Sequence, residues 1–262
     1  MVNLTEIIAF LNTVAPQDFK EDYDNVGLLI GDEAKKVHTV LVSLDADESV
    51  AKEALKKEAD LVLTHHPLIF KPLKRITNDN SVERTVTSLL KNDIALFSMH
   101  TNFDSVKDGL GDLFLDKLAD TKNRTTIEGD GENGIGRFAE VLSPMTLEDL
   151  LSNIKQQFSL SNIRYVGDEE RNIKTIAVCN GGGAEFVYRA KEMGADCYVS
   201  GDIKYQHARF AYENDIALIE VPHFAAEKIF VDFAASLLQE KFGDALTVLK
   251  AQENIDVWKQ YK

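Results

Sequence analysis

Cysteine, proline and tryptophan are scarce in this chain: two, five and one in 262 residues. Cys179 and Cys197 lie in separate apolar runs and form no CxxC pair. That favours two small buried thiols in a reducing compartment over a disulfide. Long apolar runs are missing as well. None approaches the roughly 18–20 residues that a membrane span requires. The first residues read as an amphipathic helix ending near Pro16, without the basic start and apolar centre of a signal peptide. Cations are in deficit: 29 Lys and Arg stand against 43 Asp and Glu, a formal charge of −14. Binding to a bare phosphate backbone needs clustered cations, so the balance weighs against a nucleic-acid partner. These absences lead us to expect a soluble cytoplasmic protein without a membrane role.

What is present is an ordinary globular composition, 44% hydrophobic and 27% charged. The length suffices for one large domain or two modest ones with a real core.

The chain repeats itself. Thr39-Val-Leu-Val-Ser-Leu-Asp45 reads as a strand, Glu48 to Glu58 as a helix, and Ala59-Asp-Leu-Val-Leu-Thr64 as a second strand. A shift of 136 residues places these without a gap on Thr175 to Cys179, Ala184 to Met193 and Ala195 to Ser200. A third strand recurs as the string Asn-Asp-Ile-Ala-Leu at 92–96 and 214–218, now 122 residues apart. Each half therefore reads strand–helix–strand–helix–strand, which implies parallel strands joined by right-handed crossovers. The expected fold is α/β, with two similar lobes from an internal duplication, 1–125 and 126–262, and mainly parallel sheets. Ala119 to Gly136 is expected to be a surface loop between them. Arg137 to Leu142 then reads as a strand, and Thr146 to Phe158 as a helix opened by a capping box.

Ligands of parallel α/β sheets gather at the carboxyl ends of the strands. Four of the six histidines, His65, His66, His100 and His223, directly follow an expected strand. Pro67 ends the strand behind His65 and His66, so two adjacent imidazoles can fan outwards rather than alternate across a sheet. His100-Thr-Asn-Phe-Asp104 adds a carboxylate four residues beyond a histidine, although an Asp there also serves as a helix N-cap. His223 and Glu227, at i and i+4 on a helix, share one face. Each signal alone is matched by a structural explanation; three together at three strand ends point to metal. Imidazole and carboxylate donors without thiolate suit Zn²⁺, Fe²⁺, Mn²⁺ or Co²⁺. Five or six ligands exceed what one ion takes, which implies two divalent ions sharing a carboxylate.

At these residues the sequence resembles the NIF-three-like family, whose members are often labelled GTP cyclohydrolase 1 type 2 homologues. The similar stretches are Asp24-Asn-Val-Gly-Leu28, Thr64-His-His-Pro67, Ser98 to Asp104, Gly134-Ile-Gly-Arg137, Cys179 to Gly183, Ser200 to Tyr205 and His223 to Glu227. The resemblance implies a dinuclear centre between two lobes, with His65, His66, Asp104, His223 and Glu227 as ligands. It further implies a homohexamer built as a trimer of dimers. His100 is a neighbouring candidate for proton transfer. The family's Tyr-His after Gly-Asp-Ile-Lys becomes Tyr205-Gln206-His207 here, which displaces a supporting histidine by one position. Pro222 replaces the residue the family usually carries before the last histidine, and Tyr23 stands where it usually has Trp.

Two other groups are candidates for substrate contact. Asn180 and Gly181 open a glycine-rich strand-to-helix turn that can cradle phosphate, or simply turn the chain. Lys71, Lys74 and Arg75 follow the histidine pair and can meet an anion, or lie on a solvated loop. The expected activity is metal-dependent hydrolysis of a nucleotide or other phosphate-bearing small molecule. The alternative is a non-catalytic metal-binding, carrier or regulatory assembly protein.

Overall fold

The structure is a computed structural model that describes residues 1–259. In chain order, residues 1–103 supply α1 (Leu4–Val14), β1 (Gly27–Ile30), β2 (Thr39–Ser43), α2 (Glu48–Lys56), β3 (Leu61–Thr64), α3 (Ser81–Lys91), β4 (Ala95–Ser98) and the start of α4 (Thr101–Ser105). Then come α5 (Leu110–Leu118), β5 (Thr121–Thr125), β6 (Arg137–Thr146), α6 (Leu147–Gln157), β7 (Arg164–Val166), β8 (Asn172–Val178), α7 (Val187–Glu192), β9 (Cys197–Ser200), α8 (Tyr205–Glu213), β10 (Ala217–Glu220) and α9 (His223–Glu227). The chain closes with α10 (Ile229–Phe242) and β11 (Thr247–Lys250).

Two compact units result: residues 1–103 with 230–262, and residues 104–229. They do not coincide with the halves 1–125 and 126–262 drawn from the repeat, because the last strand returns to the first sheet. The first unit holds a five-stranded sheet in the order β11-β2-β3-β4-β1. Its first three pairings are parallel and β1 is antiparallel to β4. Every residue of β2, β3 and β4 is buried, as expected of parallel strands covered on both faces. Leu41, Val62 and Leu96 pack under Val50, Ala51 and Ala54 of α2 and Val86 and Leu89 of α3. Both helices start at side-chain caps: Asp47 accepts the Ser49 and Val50 N–H groups, and Asn80 accepts that of Glu83.

The second unit holds a six-stranded sheet in the order β7-β10-β9-β8-β6-β5. Only β8-β9 and β9-β10 are parallel; the pairings of β7, β6 and β5 are antiparallel. The first sheet is thus mainly parallel, as expected, and the second is mixed, with antiparallel pairings in the majority. The crossover helices enforce parallel pairing only within each strand–helix–strand–helix–strand run; of the strands added outside the runs, β1, β5, β6 and β7 pair antiparallel and β11 pairs in parallel. One face packs Val178, Val199 and Ile219 against Phe114, Leu118 and Leu150; the other packs Ala177, Tyr198 and Leu218 against Val187, Ala190 and Ala211. Helix α6 opens with the expected capping box between Thr146 and Asp149. The segment expected as a loop contains β5, a mostly exposed edge strand of polar residues.

The repeated sequences adopt the same hydrogen-bonded frame. Asp60 accepts the N–H groups of His38 and Thr39 at 2.7 and 3.0 Å, and Asp196 accepts those of Lys174 and Thr175 at 2.9 and 2.9 Å. Register matches too, with Val40 opposite Leu61 and Ile176 opposite Cys197. Asp93 and Asp215, in the recurring string, share a left-handed backbone at φ 52° and 51°. No helix among the described residues is long and apolar enough to cross a membrane.

Candidate metal centre

In the first unit the carboxyl ends of β3 and β4 carry three imidazoles. His65 and His66 leave β3, and His100 lies two residues beyond β4. Their ring centroids are 5.0–5.5 Å apart, and they offer ligand atoms all within 4.8 Å of one another. Each ring is pinned through Nδ1. His65 Nδ1 lies 2.7 Å from Met99 O, His66 Nδ1 2.7 Å from Asp45 Oδ1, and His100 Nδ1 2.9 Å from Asp24 Oδ1. A carbonyl oxygen only accepts, so His65 carries its proton on Nδ1 and keeps the lone pair on Nε2. Carboxylate or carbonyl partners on the remote nitrogen are how ligating histidines are oriented.

Asp24 is itself buried and takes the Thr101 N–H and hydroxyl at 3.1 and 2.5 Å. Burial alone would raise its carboxyl, but the hydrogen bonds from His100 and Thr101 outweigh that and hold it well below the ordinary carboxylate range.

The second unit, by itself, brings two carboxylates beside a further imidazole. Asn180, after β8, donates one amide to Asp104 Oδ1 at 2.8 Å and to Glu227 Oε1 at 3.0 Å. Glu227 Oε2 lies 2.8 Å from His223 Nε2, one turn earlier on α9. His223 Nδ1 in turn meets Asp202 Oδ2 at 2.8 Å, so this imidazole also presents Nε2 with its other nitrogen held. Gly181 has φ +59°, and a Cβ there would come within 2.0 Å of Glu227 Oε1 and 3.0 Å of His223 Nε2. Glycine at this strand-to-helix turn, a candidate either to cradle phosphate or simply to turn the chain, is required by the approach of these two side chains.

Arg137 fixes the backbone beside Asp104. It is 2% exposed, pairs with Asp112 through Nε at 2.8 Å, and donates from Nη2 to Val106 O at 2.6 Å. Nη1 reaches Gly134 O and Gly136 O at 2.7 and 2.9 Å. One buried guanidinium thereby ties the end of α4 to the 134–136 loop.

Imidazoles held through Nδ1 in each unit, the Asp104 and Glu227 carboxylates in the second, and no thiolate among them are donor types that could hold a borderline divalent cation. Both cysteines are free and buried. Burial, then the nearby Asp104 and Glu227 carboxylates, push the Cys179 thiol up, which keeps it protonated.

A family model, Duf34/NIF3 (NGG1p interacting factor 3), matches residues 2–255. The chain belongs to the Duf34/NIF3 family. A Clostridium perfringens protein named GTP cyclohydrolase 1 type 2 homolog is 40% identical over 228 residues, covering 86% of this chain and 87% of its own. A protein of the same name from Clostridium acetobutylicum is 34% identical over 98% of both chains. In fold, the chain superimposes on a Bacillus cereus protein related to NIF3 with TM-score 0.90 at 23% identity, covering 99% of each.

His207 is buried on α8, where its ring packs 6.1 Å from Tyr188 and its Nδ1 accepts the Lys204 N–H at 3.4 Å. Lys71, Lys74 and Arg75 are exposed in an irregular segment. Asp24, Asp45 and Asp202, which orient three of the imidazoles, were not singled out from the sequence as site residues. The available signal was that each occurs in or beside a stretch that already carried meaning: Asp24-Asn-Val-Gly, the end of β2, and Ser200-Gly-Asp202.

Proposed function

We propose that this Duf34/NIF3 protein is a dinuclear metal protein. His65, His66, Asp104, His223 and Glu227 are its ligands. The supporting observation is that the four imidazoles at the strand ends are each held through Nδ1, leaving Nε2 as the donor. A packed core histidine needs no such uniformity. The proposal includes the internal duplication, with repeat halves 1–125 and 126–262; the common caps at Asp60 and Asp196 support it. A homohexamer in the cytoplasm is the proposed state.

The activity that fits best is hydrolysis of a nucleotide or other phosphate-bearing small molecule. A bound pair of ions supplies Lewis acidity and lowers the pKa of a bound water. The chain's own groups then have separable tasks. Asn180 holds Asp104 and Glu227 in one orientation. Asp45 and Asp202 keep His66 and His223 from rotating. His100, backed by Asp24, is placed to accept a proton at Nε2.

The test is metal analysis of purified protein, followed by GTP and then a wider panel of nucleotides and phosphoesters. We expect about two ions per chain, and turnover that Glu227→Ala abolishes. GTP consumption no faster than in that variant overturns the cyclohydrolase reading. Two retained, exchangeable ions with no turnover across the panel point instead to a metal carrier or regulatory assembly protein.

A further inference from the structure

Beyond β11 the chain continues along the first unit as a strap. The Ala251 N–H extends the parallel pairing to Val42 O at 2.9 Å. The next two amides, Gln252 and Glu253, both donate to the buried Glu53 carboxylate on α2 at 2.9 Å. Asn254 then turns its side chain onto the loop at the carboxyl end of β2. Its Oδ1 accepts the Leu44 N–H at 2.9 Å and the Asp45 N–H at 3.4 Å. Its Nδ2 donates to Asp45 Oδ2 at 3.1 Å. The other oxygen of Asp45 is the one that meets His66 Nδ1.

We propose that Asn254 is a positioning residue for His66, so that the strap 251–254 sets how tightly the His66-bound ion is held. The inference rests on His66 being a ligand, as proposed above. Asp45 is 42% exposed, and water competes for a carboxylate in that setting. A second contact on the far oxygen, with two more to the loop's backbone, restricts the rotation that would release His66. Only a planar amide does this with one side chain, because it accepts from the backbone and donates to the carboxylate at once. Aspartate at 254 would set carboxylate against carboxylate. Asp202, which orients His223, is 60% exposed, so the two imidazoles differ in how firmly they are backed.

The full-length chain is titrated with Zn²⁺ against a competing chelator. Loss of an outer partner of a ligating histidine costs about 10–100-fold in metal affinity, and Asn254 acts one contact further out. Asn254→Ala is therefore expected to weaken one ion about tenfold. That ion is the one lost in His66→Ala, and the other keeps its affinity, whatever the variant loses in metal-free melting temperature. Asp45→Asn combined with Asn254→Ala is expected to lose no more than Asp45→Asn alone, the non-additivity of groups acting through one contact. Asp256→Ala, in the same tail, binds as the unaltered chain does.

Unchanged affinity for both ions in Asn254→Ala overturns the proposal. So do additive losses with Asp45→Asn, or equal weakening of both ions together with a lower metal-free melting temperature. If Asn254→Ala does not fold, Glu53→Gln loosens the strap from its other anchor and is read in the same way. An unaltered chain that binds no Zn²⁺ overturns the metal reading itself, a result distinct from any of these.

Discussion

The strand–helix–strand–helix–strand runs at 39–98 and 175–220 share a frame but not a distribution of chemistry. In the first, the second strand ends in Thr64-His65-His66, and the carboxylate that orients His66 stands at the end of the first strand, as Asp45. In the second, the matching position after β9 is Ser200-Gly201-Asp202, and Asp202 is itself the orienting carboxylate. Its imidazole, His223, follows the third strand. The acid-to-histidine bond is kept while the strand ends that supply it change. Strand ends in such a frame are interchangeable platforms: the backbone register fixes where a side chain emerges, and one or two substitutions decide whether it binds or orients.

Breaking the orienting bond on each side tests this most severely. Asp45→Asn and Asp202→Asn should each lower the affinity for one ion by about 10–100-fold, and a chelator-competition titration reads the loss. Different ions should be affected in the two variants. The same ion weakening in both would mean that the two bonds do not serve separate imidazoles.

The frame itself gives an effect of comparable size on the two sides, although Asp196 also accepts the Thr175 hydroxyl at 3.1 Å. Asp60→Ala and Asp196→Ala each remove a carboxylate that accepts two backbone N–H groups. Leaving those donors without their acceptor costs on the order of 1–3 kcal/mol, measurable as a shift in the urea midpoint. Losses that differ by more than the error of extrapolation would show that the repeat is alike in register but not in energetics.

Much of this comparison is legible in the sequence, and what is missing has a physical reason. His65, His66, Asp104, His223 and Glu227 could be named because hydropathy locates strand ends and chemistry gathers there. The orienting groups lie across the fold instead. Asp24 meets His100 from 76 residues away, and Asp45 and Asp202 each reach a histidine 21 residues on. Those pairs depend on which loops the fold brings together. Asn180 reads from Asn-Gly-Gly-Gly as part of a strand-to-helix turn or a phosphate cradle, and only tertiary structure shows its amide shared between two carboxylates. β5, Thr-Lys-Asn-Arg-Thr, has no apolar alternation, since an exposed edge strand needs none. The return of β11 to the first sheet escapes local pattern because its four residues pair with a strand more than two hundred positions earlier.

The finest difference between the two regions is acid lability. The position that His100 occupies after β4 is held by Pro222 after β10, so at that point only the first region pairs an imidazole with a buried carboxylate. The Asp24 carboxyl lies well below its ordinary value, and a depressed carboxylate stabilises the fold most while it is ionised in both folded and unfolded chains. The contribution is therefore complete above about pH 4, near the unfolded value, and shrinks as pH falls further toward the folded one. Asp24→Asn removes the titrating group. Urea midpoints of the unaltered chain should exceed those of the variant at pH 7 and converge on them below pH 4. If the gap stays constant down to pH 3, Asp24 stabilises by shape and hydrogen bonding alone, and the extra acid sensitivity assigned to the first region is lost.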